Sequence, residues 1–521
     1  MKFNVYHLLF CSLFLGAIYI PFTVAVFEDD QAISEIEKRT LKQVPDFPKN
    51  VQSFIDFPES FENYYQDNFG FREILTKQYR FLKYKIGDSP SQDVTIGKDG
   101  FLFLGTVKKG YSDRNDPMGD YRGINKYTPE ELSKFVTHMD DLNTWFAVRG
   151  IKYVFVIAPN KATIYPEKLP KYIQKVNQET AYDQLVSALK TIDDFLIVDL
   201  RPALLNEKSK GNLYYKTDTH WNFAGANAGQ REIISRINDS TENSIDVINT
   251  EIKSQPWDGG DLANFIGVKP LNDQMDDPHF PQACNPSIDE RVEGAISITS
   301  FSCDSKNFNV LVFGDSFSGW LRPFFSRTFN KSTFVPSGAL VFSMTKNLIQ
   351  ESKPDFVIEE WVERVLPHTP FIEEVHGFSK EKRIFDSSSE VIYHNNFSML
   401  QLINLLPVRV EQSSIELRSA HAAQALIFPE ISFKQGKKYS LKIRIHSSID
   451  SFLQVFFSES NMSENLFSEK NSVRKSIIRG ENELYIQLNN LNLGKALRLD
   501  PLEEQGSVII SELTIKEIDI H

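Results

Sequence analysis

Between Thr128 and Ile358 the chain alternates short apolar runs with amphipathic stretches, and that rhythm more than any other feature restricts it to a layered α/β fold. Thr128-Pro129-Glu130-Glu131 is a capping box with proline at the first helical position. Leu132, Phe135, Met139, Leu142 and Phe146 follow at helical spacing, and Gly150 closes the helix. Ile151 to Ala158 (IKYVFVIA) is uniformly apolar after its lysine, as a strand covered on both faces must be. A helix over about Ala181 to Lys190 and strands at Phe195 to Val198, Asn309 to Phe313 and Phe356 to Ile358 continue the series. The pattern predicts a mostly parallel sheet with helices on both faces, occupying residues 94–380.

The flanks differ in kind. Val94 to Gly105 (VTIGKDGFLFLG) is a hairpin turning at Asp99-Gly100. Ahead of it, Phe54 to Lys85 is amphipathic and rich in aromatics, with a break near Gly70, so residues 28–93 are expected to be helical and membrane-proximal, with the aromatics packed as core and not as a ligand site. Beyond residue 385 the helical period gives way to alternation. Lys438 to Ser447 places Tyr439, Leu441, Ile443 and Ile445 on one face, and Ser451 to Ser458, Glu483 to Leu488 and Val508 to Ile518 behave alike. Residues 385–521 therefore predict an all-β sandwich.

Val5 to Phe27 is apolar over a length that spans a bilayer, for which ~20 residues suffice. Lys2 precedes it and Glu28-Asp29-Asp30 follow, which puts the N-terminus inside the cell and the remainder outside. Residues 1–27 are expected to be a membrane anchor. A cleaved signal peptide is the rival, because Thr23-Val24-Ala25 resembles a cleavage site. Either way residues 28–521 lie on the extracytoplasmic, periplasmic side. In that oxidising space Cys284 and Cys303 are expected to pair, the alternative being two free thiols, while Cys11 sits in the anchor. A net charge of −12 argues against a nucleic-acid partner.

Two short motifs carry chemistry. Phe313-Gly314-Asp315-Ser316-Phe317-Ser318 directly follows an apolar strand, and GWLRPFFSRTF after it continues as a helix. A serine there stands at the carboxyl end of a strand, where α/β sheets bind ligands, beside helix amides able to stabilise an oxyanion. A plain N-cap uses serine too. Thr217-Asp218-Thr219-His220-Trp221-Asn222 supplies the base that a serine nucleophile needs, His220, and a carboxylate to orient it, Asp218. The bland alternative is an Asx turn capping the next helix. A metal is not expected, since no third ligand stands at suitable spacing. Lys161 and Tyr165 follow a strand end and are expected to line the site, against simple solvation of the lysine. Trp221 either walls the substrate pocket or packs in the core. Glu363 and Arg364 are expected to form a structural ion pair.

These blocks, in this order, resemble the AlgX/AlgJ-type SGNH-hydrolase-like proteins, a family of polysaccharide O-acetyltransferases and relatives. Glu37-Lys38-Arg39-Thr40-Leu41 with Pro45, Asp67-Asn68-Phe69-Gly70-Phe71-Arg72, and Gly97-Lys98-Asp99-Gly100-Phe101-Leu102-Phe103 are similar to its early segments. Pro159-Asn160-Lys161 with Tyr165-Pro166 and Leu169-Pro170 follows, then Asp218-Thr219-His220-Trp221 with Gly225-Ala226, which resembles the family's Asp-x-His signature. Gly260-Asp261-Leu262 and Glu363-Arg364 are fainter echoes. The resemblance covers roughly residues 35–366 and implies an SGNH-hydrolase-like fold with the triad in the order Asp218, His220, Ser316. It further implies acetyl transfer to an exported glycan, as in alginate or other exopolysaccharide biosynthesis, without a cofactor. The acetyl group would be supplied by a separate multispanning membrane acyltransferase. Arg498-Leu499-Asp500-Pro501 is similar to the end of jelly-roll modules on glycan enzymes. The C-terminal region would then be a jelly-roll-like carbohydrate-binding module, with a purely structural sandwich the alternative. It contains no tryptophan, so sugar stacking there would fall to Tyr393, Tyr439, Tyr485 or a phenylalanine. An acetyl esterase and a non-catalytic glycan-binding or assembly protein on the same fold remain the alternatives to a transferase.

Overall fold

The computed structural model describes residues 5–27, 30, 32–34, 39–105, 116–242, 244–281, 283–336, 342–368, 372, 375–419, 424–459, 467–488, 490, 492 and 493–518. Glu28, Asp29, Glu37 and Lys38 lie outside them. Helix α1 (Val5–Phe27) is followed by α2 (Val51–Asp67) and α3 (Arg72–Lys85), with the expected break at Gly70. Strands β1 (Val94–Ile96) and β2 (Leu102–Leu104) form the hairpin, and Asp99 and Gly100 take the positive φ of its turn.

The α/β body then unfolds in chain order: α4 (Pro129–Ala147), β3 (Lys152–Ala158), α5 (Ala181–Leu189), β4 (Leu196–Asp199) and α6 (Phe223–Ser240). After β5 (Glu251–Trp257), α7 (Asp261–Ile266) and β6 (Asp273–His279) come β7 (Ser287–Glu293), β8 (Ile296–Ser302), β9 (Asn309–Gly314), β10 (Lys331–Val335), α8 (Phe342–Ser352) and β11 (Phe356–Val362). Seven strands make one sheet in the order β4-β3-β11-β9-β10-β8-β7. The first five run parallel, and β8 and β7 add an antiparallel edge. Alternate residues of each central strand serve opposite layers. Val154, Val156, Val310 and Val312 pack with Ile233, Ile234 and Ile237 of α6. Tyr153, Phe155, Leu311 and Phe313 pack with Phe135, Met139 and Leu142 of α4 and Leu185 of α5.

Strands β5 to β8 were not legible in the sequence. β5 and β6 pair only with each other, and their mostly exposed residues give no apolar alternation to read. Cys284 and Cys303 form a disulfide with Cα atoms 6.1 Å apart, as expected, tying the approach to β7 to the end of β8.

The C-terminal region is two antiparallel sheets of six and five strands around one apolar core. Lys438–Ser447 is central in one sheet, pairing with Gly480–Leu488 and Ser507–Ile518, and Ser451–Glu459 is central in the other. Helix α9 (Phe378–Ser387) bridges the two regions. Asp141 of α4 accepts from the amides of Gly377 and Ser379, while Phe378 and Phe385 pack on Tyr485 of the sandwich.

Candidate active site

Strand β9 ends at Gly314, and the chain turns at Asp315 into a 3₁₀ helix, Ser316–Leu321. Asp315 makes this turn rigid. One carboxylate oxygen accepts from the Phe317 amide at 2.8 Å, and the other from the Val362 amide of neighbouring β11 at 2.7 Å. Burial pushes the Asp315 carboxyl up, against the pull of the same two amides. Ser316 is left exposed at the carboxyl edge of the sheet.

His220 reaches Ser316 from the loop before α6. Tyr214 bridges Trp221 in antiparallel fashion, folding residues 215–220 into a tight excursion. The capping role that the sequence left open for Asp218 is filled by Asn222, whose side chain accepts from the Gly225 amide. Asp218 instead accepts from His220 Nδ1 at 2.6 Å, from the His220 amide at 3.0 Å and from the Asp261 amide at 2.9 Å. An ionised carboxylate only accepts, so Nδ1 carries the ring proton and Nε2 accepts from Ser316 Oγ at 2.7 Å. Burial pushes the Asp218 carboxyl up, but its hydrogen bonds with His220 and the Asp261 amide win and hold it below its usual value. Trp320 stacks on the imidazole, centroids 4.5 Å apart and rings within 19° of parallel. The ring therefore has fixed orientation, fixed tautomer and one covered face.

Two carboxylates and two threonine hydroxyls lock the loop further. Asp261, the first residue of α7, accepts from the Thr219 amide at 2.8 Å and its hydroxyl at 2.6 Å. Asp273 accepts from the Thr217 amide and hydroxyl at 2.8 and 2.6 Å. Thr217 Oγ1 in turn accepts from the Gly260 amide at 3.0 Å. Asp261 Oδ2 also lies 3.9 Å from His220 Nδ1, so Asp218, His220 and Asp261 form a cluster of three possible metal ligands. Sequence spacing did not reveal that third carboxylate. Both ring nitrogens and all these carboxylate oxygens are engaged within the protein, so a cation here would have to displace the hydrogen bonds that orient His220.

The domain model described as "SGNH hydrolase-like domain, acetyltransferase AlgX" matches residues 94–363. The chain belongs to this AlgX-type SGNH-hydrolase-like family. Among curated relatives, a probable alginate O-acetylase AlgJ of Pseudomonas aeruginosa is 24% identical over 243 residues, 45% of this chain and 58% of that protein. A protein of the same name from Azotobacter vinelandii is 23% identical over 330 residues, 59% of this chain and 78% of that one. The chain thus spans little more than half the length of the first of these relatives. The solved O-acetyltransferase domain of Pseudomonas putida AlgJ aligns at 19% identity and a TM-score of 0.37, covering 53% of this chain and 92% of that one.

In this AlgX-family chain, three residues expected at the substrate lie beneath the site instead. Lys161 is 5% exposed, and its ammonium donates to the carbonyls of Leu102 and Lys216 at 2.8 and 3.2 Å. Burial brings its pKa down to about 8, against the attraction of Asp218, Asp261 and Asp273. Tyr165 is buried and its hydroxyl accepts from the Leu213 amide at 2.8 Å. Trp221 is fully buried and donates to the Phe317 carbonyl at 3.1 Å. Proximity to a strand end was legible; the side that each chain faced was not, and apolar burial decided it. Each supports the triad loops from below. Glu363 and Arg364 do not pair among the described residues: Glu363 accepts from the Asn160 amide and Thr163, while Arg364 lies over the Phe317 ring. In the sandwich, Tyr393, Tyr439 and Tyr485 are all buried, so none offers a face to a sugar.

The aromatic surface lies elsewhere. A groove of about 670 Å³ is lined by half-buried Trp257 together with Asn212, Asn272 and Gln274, with the buried Tyr214 and Tyr215 beneath it. Tyr215 connects it to the site, 5.2 Å from Trp257 and 6.4 Å from Trp320 between ring centroids. The roles of Trp257 and Trp320 are not legible in the sequence, because tertiary packing sets them beside Tyr215 and His220.

Proposed function

We propose that this protein is an O-acetyltransferase that moves acetyl, through an ester on Ser316, onto hydroxyls of an exported polysaccharide. The observation that carries the proposal is the continuous hydrogen-bonded line Ser316–His220–Asp218 at the open edge of the sheet, in a chain of the AlgX acetyltransferase family. Ser316 Oγ attacks the acetyl carbonyl as His220 Nε2 takes its proton, and His220 returns that proton to the leaving group. An acceptor hydroxyl then gives its proton to His220 and attacks the ester, and His220 passes that proton to the departing Ser316 Oγ as the acetylated glycan forms. Asp218 stays ionised and stabilises the imidazolium in both halves. The groove with half-buried Trp257 supports a sugar acceptor, since an aromatic face and planar amides suit pyranose rings.

Helix α1 is long and apolar enough to cross a membrane over Val5–Ala25. It supports a location on the extracytoplasmic side, anchored in the cytoplasmic membrane, where a glycan emerges. The names of the AlgJ relatives support a polysaccharide as the acceptor class. A multispanning membrane acyltransferase would supply the acetyl group from the cytoplasmic side. The test is to incubate the full chain with a chromogenic acetyl ester and defined oligosaccharides. Oligosaccharide gaining the mass of an acetyl group supports transfer, whereas free acetate as the sole product with every acceptor would replace it by an esterase.

A further inference from the structure

Helix α3 is amphipathic in the inverted sense. Its half-buried residues, which face the protein, are Arg72, Glu73, Thr76, Arg80, Lys83 and Tyr84. Its exposed apolar and aromatic residues are Ile74, Leu75, Tyr79, Phe81 and Leu82, with Ile74 and Leu82 at 59% and 60% exposure, and Lys77, Gln78 and Lys85 are exposed beside them. At 100° per residue these five share one face, interrupted by Gln78. A helix docked for its own stability turns the apolar face inward. This one turns it out, while Tyr84 on the opposite side packs against the apolar cluster of β1, β2 and α7. Helix α2 behaves alike, exposing Val51, Phe54, Ile55 and Phe61 and burying only Asp67 near its end.

The position of this face is set by α1. A Cβ on Gly70, at the corner between α2 and α3, would lie 2.1 Å from the Pro21 carbonyl oxygen and 2.9 Å from the Ala25 nitrogen. Pro21 is buried in that contact, while most of α1 is exposed. Just beyond α1, Asp30 accepts from the Tyr64 hydroxyl of α2 at 2.9 Å. The corner of the hairpin therefore rests on the last turns of the apolar helix, at the level where a spanning helix leaves the hydrocarbon. Charge fits the same place. Within α3 five basic residues face one acidic residue, in a chain of net charge −12. Lys77 flanks the apolar stripe and Lys85 ends it, as in helices that lie along membrane surfaces with their lysines reaching the headgroups, while Lys83 is held by Asp88 at 3.0 Å.

We propose that α2 and α3 lie in the headgroup layer of the membrane that α1 crosses, with the apolar stripe of α3 at the acyl boundary and its lysines on anionic phospholipid. The proposal rests on α1 being retained as a membrane span and is independent of acetyl transfer. It gives the hairpin a mechanical task. α3 packs through Tyr84 on the β1–β2 and α7 cluster, and α7 begins at the Asp261 amide that holds Asp218. The lipid-lying hairpin is thus coupled to the triad through packed elements and sets its height above the membrane.

The test uses the full chain, one copy per nanodisc of phosphatidylcholine with or without phosphatidylglycerol. Nitroxide is placed on native Cys11, or, in a Cys11→Ser background, on Leu75→Cys, Leu82→Cys or the aqueous control Glu130→Cys. Leu75 and Leu82 are exposed, so the labels leave the fold intact. The expected result is a several-fold higher ratio of oxygen to nickel-chelate accessibility at 75 and 82 than at 130, larger with phosphatidylglycerol. If Cys11 reads lipid while 75 and 82 match 130, or are shut off from both reagents, the hairpin lies in water or against protein and the proposal is overturned. If Cys11 itself reads as aqueous, the anchor fails and the proposal with it, leaving acetyl transfer untouched.

Discussion

Gly260 and Asp218 are packed backbone against carboxylate: a Cβ on Gly260 would lie 2.2 Å from Asp218 Oδ2 and 2.3 Å from Asp218 Cβ. The backbone of Gly260 is extended, with φ −92°, so glycine is required for space and not for conformation. This approach lets the Asp261 amide reach Asp218 and fixes the carboxylate that orients His220. Gly260→Ala is expected to push Asp218 off the imidazole by a fraction of an ångström to 1 Å. Such a shift costs about 10²-fold in turnover. Steady-state kinetics with a small acetyl ester should show the loss in kcat at nearly constant KM, with an unchanged far-ultraviolet circular dichroism spectrum.

How much of this was legible follows from what each residue's partners are. Ser316, His220 and Asp218 stand at strand and helix ends whose patterns are local, and the structure brings them into one hydrogen-bonded line. Gly260, Asp261 and Asp273 act on residues more than forty positions away, a relation carried by tertiary packing of a short helix and an exposed hairpin. Lys161, Tyr165 and Trp221 were placed near the site by the sequence and turned inward by the core. The parallel strands β3, β9 and β11 announce themselves by continuous apolar runs, as strands covered on both faces do. β5 and β6 carry polar residues on both faces and announce nothing.

The groove at Trp257 should govern acceptor use. Trp257→Ala removes a ring worth about 1 kcal/mol of stacking, which corresponds to roughly a fivefold rise in KM for oligosaccharide. Hydrolysis of a small acetyl ester should be unaffected, because Trp257 touches the groove and not the triad. The groove walls carry Asp258, Asp273 and Asp276 against Lys216. Neutral oligosaccharides should therefore outcompete polyuronates of equal length, by a margin that shrinks as salt screens the carboxylates. Competition assays at two ionic strengths read this directly.

Glu360 gives a pH-dependent stability. It is fully buried in β11 under the turn at Asp315 and Ser316, and burial, with Asp315 adding to it, raises its carboxyl well above the usual value. The folded state thus favours the protonated form more than the unfolded state does. The stability associated with it is complete below the unfolded pKa and is lost as pH rises towards the folded one. Glu360→Gln removes that titration. Its Tm relative to the native protein should rise from acid to neutral and alkaline pH, measured by calorimetry across that range. A difference in Tm that is flat with pH would show that Glu360 does not titrate in the fold.

The central claim is that acetyl passes through Ser316. Rapid quench of the full chain with a chromogenic acetyl ester, followed by intact mass and peptide mapping, should find one acetyl group on Ser316. It should vanish when neutral oligosaccharide is added and reappear on the sugar, and Ser316→Ala should form neither species. Sugar acetylated at undiminished rate by Ser316→Ala would contradict the account.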